Sequence, residues 1–179
     1  SYIFHVYSHR KNKVFQMSKS IEIRSIQKKD NQATAEMIRY VLIEQNAPKT
    51  GTAYEDKALD DLYKTYKHER SVYYILIEND EIIGGAGIQP LDNDTSICEL
   101  QKMYFHPKAR GRGLGQQMIE QCLKFAENQD YKACYIETLP SMKAAQNRYL
   151  KNGFEYIDYR LGQTGHHACT VWMLKILQK

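Results

Sequence analysis

Several things are scarce in this 179-residue chain, and each scarcity excludes something. No apolar run approaches the length of a membrane-spanning helix. Cysteine occurs four times, at Cys98, Cys122, Cys134 and Cys169, with no CxxC pair and no histidine at zinc-finger spacing. That pattern argues against a structural zinc and against a disulfide framework. Most of these cysteines stand in apolar stretches, so buried free thiols and a reducing, cytoplasmic setting are expected. Charge of one sign is also missing from most of the chain. Of the net +4, all is carried by Arg10, Lys11, Lys13 and Lys19; the remainder holds 21 basic and 21 acidic residues. A neutral body is a poor nucleic-acid surface. There is no internal repeat and no low-complexity linker.

What is present reads as one domain with an ordinary core, 42% hydrophobic and 26% charged. Residues 1–16 read as a solvated basic extension without the apolar segment of a secretory signal. "YIFHVY" and "VFQM" in it are compatible with a hairpin, and residues 17–179 form the domain.

Periodicity sets out the elements. "IEIRSI" alternates as a strand. Asp30 is placed to cap a helix carrying Ala33, Met37, Ile38, Val41 and Leu42 on one face. "LDDLYKTY", Leu59–Tyr66, reads as a shorter helix. "SVYYILIE", the turn "NDE" and "IIGGAGIQP" read as a hairpin, and Ile97–Phe105 as a strand stopped by His106 and Pro107. A helix follows with Leu114, Met118, Cys122 and Ala126 at spacing four, then a buried strand Ala133–Thr138. Lys143–Asn152 is a helix ended by Gly153, and "FEYIDYRL" and "TVWMLKI" are closing strands. The order β-α-α-β-β-β-α-β-α-β-β makes a mixed α/β sheet flanked by helices.

The stretch "ARGRGLGQQM" joins the central strand to its helix. Gly111, Gly113 and Gly115 bracket a turn where backbone amides and the positive helix end are exposed. Glycines there allow positive φ and close approach of an anion. Arg110 and Arg112 can add charge-assisted contacts, although Arg112 reads equally well as a solvated side chain. The stretch lacks GK[ST], so it is not a Walker loop, and it does not follow a first parallel strand as a dinucleotide fingerprint does. It reads as a pyrophosphate cradle.

Arg110 through Gly115 matches the R/Q-x-x-G-x-G/A signature of the GNAT superfamily of acetyl-CoA-dependent acetyltransferases. "ELQKMYFHP" resembles that family's fourth strand and "YIET" its fifth. "AAQNRYLKNGF" resembles its A-x-x-L-Y-x-x-x-G-F, with Arg148 where leucine is usual. The resemblance runs from about Ile21 to Leu177. Within the family, "CELQKMYF", "CYIET" and "DYRLGQTGH" are similar to a group of small bacterial acetyltransferases of unassigned substrate.

The resemblance implies a mixed, mostly antiparallel twisted sheet whose central strands splay to admit the pantetheine arm. It implies that the backbone of Met103, Tyr104 and Phe105 pairs with that arm as an added strand. It implies that the amides of Arg110, Gly111, Arg112, Gly113, Leu114 and Gly115 hold the pyrophosphate. Acetyl-CoA is then the co-substrate and no metal is expected. Glu99, in a central strand where carboxylates are rare unless paired or functional, is the candidate base, often through water in the family. A structural carboxylate or an ammonium binder remains the alternative. Tyr149 corresponds to the family's general acid, with a packing role as the alternative. The acceptor reads as a small-molecule amine or amino acid, with a protein lysine or N-terminus, or a non-catalytic CoA-binding module, as other readings. Neither nucleic acid nor membrane is an expected partner, and a homodimer fits the family. "NAPKTGTAY" is expected to line the acceptor side. Gly84, Gly85 and Gly87 mark a close approach or a bulge. His166 and His167, adjacent on an extended chain, are not expected to share a metal.

Overall fold

The computed structural model describes residues 20–178, so the basic extension and its proposed hairpin lie outside the described residues. Seven strands form one sheet in the order β1-β2-β3-β4-β5-β7-β6. They are β1 (Ile21–Ser25), β2 (Val72–Glu78), β3 (Glu81–Pro90), β4 (Ile97–Phe105), β5 (Ala133–Thr138), β6 (Glu155–Ile157) and β7 (Val171–Ile176). All neighbours are antiparallel except β4 and β5. Helices α1 (Asn31–Glu44) and α2 (Leu62–Thr65) cover one face; α3 (Leu114–Asn128) and α4 (Lys143–Lys151) belong to the other.

Alternation along the strands feeds two cores. Ile75 and Tyr73 point into the α1 side with Ile38, Leu42 and Leu59, while Leu76, Ile88 and Leu100 meet α3 through Met118 and Cys122. Leu114, Met118, Cys122 and Ala126 are all buried, as their spacing predicts. Asn79 and Asp80 both take positive φ, the geometry that closes a tight β2–β3 hairpin.

Three expectations are corrected. Asp30 does not cap α1 with its side chain; its carboxylate accepts the Gln27 amide at 2.7 Å and the Arg24 guanidinium at 2.8 Å. These bonds close a 3-10 turn, Lys28–Asp30, ahead of the helix. Met37, Ile38, Val41 and Leu42 are buried as expected, whereas Ala33 is exposed and Thr34 and Ala35 are buried beside them. The helix expected over Leu59–Tyr66 is a 3-10 turn, Lys57–Asp61, followed by the single turn of α2, because Asp61 leaves helical φ and ψ and caps Lys64. The strand expected over "FEYIDYRL" shrinks to β6. The chain after it, residues 158–170, is irregular and is held by its own polar side chains.

Two features of β4 position the site. It pairs with β5 only from Ile97 to Glu99 (opposite Ala133 to Tyr135), after which the strands part. Further along, Gln101 faces Gly87 while Tyr104 faces Gly85, so β4 carries a bulge with Lys102 at φ 47°. The β3 glycines serve both expected roles. Gly85 and Gly87 lie opposite the bulge and under the Tyr73 and Tyr66 rings, with no room for a Cβ.

Candidate active site

Beyond Glu99, β4 has no strand partner on its β5 side, and the gap opens onto three adjoining cavities. A cleft of about 260 Å³ is lined by Met103, Tyr104 and Phe105 on one side and by Arg148 and Tyr149 on the other. A pocket of about 200 Å³ is lined by Glu99, Gln101, Lys102, Asp56 and His166. Between them lies a space of about 40 Å³. Met103, Tyr104 and Tyr149 border both the cleft and this space; Lys102 borders both the space and the pocket. The three cavities therefore lie side by side along the parted strands.

The cleft leads to the start of α3. Gly111 and Gly113 take φ 69° and 74°, and a Cβ built on either meets nothing within 4 Å. The first amide of this region to find a helical acceptor is that of Gln117, which donates to Gly113 at 3.2 Å. The amides of residues 111–116 find no acceptor at hydrogen-bonding geometry among the described residues. Open glycines and unpaired amides at a helix start suit a pyrophosphate. The structure places both arginines of the stretch in protein ion pairs. Arg110 makes two bonds to Glu44, at 2.8 and 3.0 Å, and also donates to the Phe105 carbonyl. Arg112 makes two bonds to Glu78, at 2.7 and 3.0 Å. Their guanidiniums brace the loop, which leaves its backbone amides as the unpaired donors at the helix start.

Glu99 is 5% exposed at the wall of the pocket. Burial pushes its carboxyl up to about 7; the Gln101 amide, donating at 2.8 Å, and the Lys102 charge pull it back, while Glu137 pushes the same way as burial. Gln101 is itself fixed by the Tyr66 hydroxyl at 2.7 Å. Tyr149 is 5% exposed, and burial raises its phenol well above the ordinary value, with the Arg148 charge opposing. Its ring packs on Phe154, just past the Gly153 stop of α4.

Three polar residues at the site, Lys102, Asp56 and Glu137, are not legible in the sequence, and a fourth, His166, lines the pocket rather than the surface. The bulge turns the Lys102 ammonium inward, where its side chain is 6% exposed and lies 2.9 Å from Asp56. The His166 ring at 3.5 Å and this ammonium hold the Asp56 carboxyl well below the usual carboxylate range. The His166 contact is long, and Nε2 otherwise has no hydrogen-bond partner among the described residues. Glu137, on β5, accepts from Thr164 at 2.7 Å and Tyr135 at 2.9 Å and faces Arg160 at 3.4 Å. These contacts draw the irregular 158–170 segment over the pocket. "NAPKTGTAY" contributes Thr52 to the small space, and Asp56 just after it reaches the pocket. His167 packs instead on Gly51, so the two histidines diverge.

All four cysteines are buried and unpaired. Cys169 borders the small space, but burial pushes its thiol up to about 11. Among the described residues, no group of three or more His, Cys, Asp or Glu side chains is arranged to hold a metal ion, and no helix is long and apolar enough to cross a membrane.

Comparison with known proteins places this geometry. The acetyltransferase (GNAT) family model matches residues 37–154. The chain is 40% identical over 157 residues to the uncharacterized N-acetyltransferase YjgM of Escherichia coli K12, covering 87% of this chain and 94% of that one. An acetyltransferase of the GNAT family from Staphylococcus aureus superimposes with a TM-score of 0.73 at 19% identity, covering 89% of this chain and all of that one. The PaiA N-acetyltransferase of Thermoplasma acidophilum, solved in complex with coenzyme A, gives 0.67 at 16% identity over 88% of this chain and 99% of its own. Parted central strands, open glycines with unpaired amides at a helix start and a 118-residue family match agree, and the chain belongs to the GNAT family of acetyl-CoA-dependent acetyltransferases.

Proposed function

We propose that this protein transfers acetyl from acetyl-CoA directly to the amine of a small molecule or amino acid. One observation carries the reading: Glu99 and Tyr149 border cavities that meet through the gap between β4 and β5, one on the acceptor side and one on the donor side. The amides at the start of α3 are the groups that would hold the donor's pyrophosphate, and the unpaired edge of β4 from Met103 to Phe105 its pantetheine arm. Acetyl-CoA supplies the acetyl thioester.

The acceptor arrives as an ammonium and must lose a proton before it can attack. Glu99, poised near neutrality, accepts that proton directly or through one water. The amine nitrogen bonds to the acetyl carbon as the carbon–sulfur bond breaks. Tyr149, kept protonated by its burial, gives a proton to the departing sulfur, and the second proton of the attacking nitrogen, shed as the amide forms, restores the phenol. No cysteine is required: all four are buried, and burial pushes the thiols of Cys122, Cys134 and Cys169 up. The PaiA complex with coenzyme A supports the donor assignment by fold. The acceptor pocket, at about 200 Å³, has the scale of an amino acid rather than of a peptide in a groove, which favours a small acceptor over a protein lysine or N-terminus.

A panel of amines, amino acids and lysine-containing peptides, followed by acetyl-CoA-dependent thiol release, tests this. Turnover is expected with at least one small amine and not with the peptides. For that acceptor kcat/KM should rise with pH through about 7, the inflection should vanish in Glu99→Gln, and Tyr149→Phe should lower kcat by about 10²-fold or more. Turnover of peptides alone would overturn the choice of acceptor. Unaltered turnover in both variants would overturn the residue roles.

A further inference from the structure

Arg148 stands on α4 where the family motif has leucine, and its surroundings differ from those of the neighbouring arginines. Arg110 and Arg112 are each held by two bonds to a glutamate. The Arg148 guanidinium makes no hydrogen bond and no ion pair among the described residues, although it is half-buried and borders the 260 Å³ cleft. It lies against the first turn of α3. A Cβ built on Gly115 would meet its Cζ at 3.0 Å, its Nε at 3.1 Å and its Nη1 at 3.3 Å.

That placement is unfavourable by itself. Gly115 is the second residue of a 15-residue helix, next to unpaired amides and the positive end of the helix dipole. A cation set there and left without a counter-charge is repelled, and leucine would fill the same space at no such cost. The arrangement becomes favourable once an anion lies between guanidinium and amides. We propose that Arg148 binds the pyrophosphate of the acyl donor, completing with a side chain the cradle that the α3 amides begin. Gly115 suits the same contact, since a Cβ there would press on the guanidinium at 3.0 to 3.3 Å. This inference rests on the donor reading above and extends it to a residue that selects for the charged diphosphate.

Calorimetric titration tests it with three probes: coenzyme A, 3′-dephospho-coenzyme A and phosphate-free pantetheine. Arg148→Met keeps much of the side-chain volume and removes the charge; Arg148→Lys restores charge without the fork. Arg148→Met is expected to lose tenfold or more in affinity for both phosphorylated probes, equivalent to about 1.4 kcal/mol, with pantetheine unaffected and Arg148→Lys in between. Without ligand its melting temperature should match or exceed the wild type, because a like-charge contact has been removed. Gly115→Ala should weaken the phosphorylated probes in the same way by displacing the guanidinium. Undiminished affinity of Arg148→Met for coenzyme A overturns the proposal. So does an equal loss for pantetheine, or a lowered melting temperature, either of which makes Arg148 a packing residue. A loss seen with coenzyme A but not with its 3′-dephospho form moves the contact to the other phosphate and overturns the pyrophosphate assignment. If the wild type binds none of the phosphorylated probes, the donor reading fails first and this inference with it.

Discussion

At Glu99 a carboxylate sits inside a sheet, and its protonation links the site to the stability of the fold. Burial raises its pKa from the ordinary 4.5 to about 7, so the folded chain holds this proton more tightly than the unfolded chain does. The resulting stabilisation is complete below 4.5 and is lost as pH rises through 7. Glu99→Gln removes the cost of burying the charge. Its stability relative to wild type should improve between about pH 5 and pH 8, by on the order of 1–3 kcal/mol, in chemical denaturation. A difference that stays flat over that range would show that another group carries the titration. Lys102 is the opposite case, a buried charge neutralised in place by Asp56 at 2.9 Å. Nothing in "ELQKMYF" marks its fourth residue as one that takes φ 47°, because the bulge comes from the register against Gly85 and Gly87. Glu99, Tyr149 and the three glycines could be named from sequence because each stands in a local motif. Asp56, Lys102 and Glu137 could not, because their places come from contacts between distant segments.

The turn into α3 shows how an element exposes backbone amides. Gly113 precedes the helix at φ 74°, a conformation that strains any residue with a Cβ, and the space where that Cβ would go is empty. Gly113→Ala should destabilise the protein by about 1–2 kcal/mol and weaken coenzyme A as well, because the methyl group would stand where the anion approaches. Denaturation and titration of the same preparation check both effects; a stability loss with unchanged coenzyme A affinity would separate the turn from the donor site. Elements with strong periodicity were legible with correct bounds. Ile97–Phe105 and Ala133–Thr138 stand in the structure as their patterns predict. Where the pattern was right but the strand was not, at "FEYIDYRL", side-chain bonds to Glu137 and to the Cys169 carbonyl outcompete strand pairing and lead the segment over the pocket.

On the scale of the whole molecule, one sheet with helices on both faces is open at its middle. A ligand that fills the gap between β4 and β5 ties the two halves of the sheet together where they share only the pairs from Ile97 to Glu99. Coenzyme A at a hundred times its dissociation constant should raise stability by about 2.7 kcal/mol, a melting shift of roughly 5–10 °C for a domain of this size. Thermal denaturation with and without coenzyme A measures it, and pantetheine at the same concentration should give a smaller shift. The sequence by itself determined the order of elements, the two apolar faces and the glycine turn into α3, because periodicity and glycine placement act over a few residues. It also determined the family, because a motif keeps its spacing along the chain. Only the tertiary structure decided what surrounds Glu99 and which arginine is left without an ion pair among the described residues. Those outcomes depend on burial and on pairing between residues far apart in the chain, as when Glu44 takes Arg110, Glu78 takes Arg112, and Gly115 leaves room for Arg148.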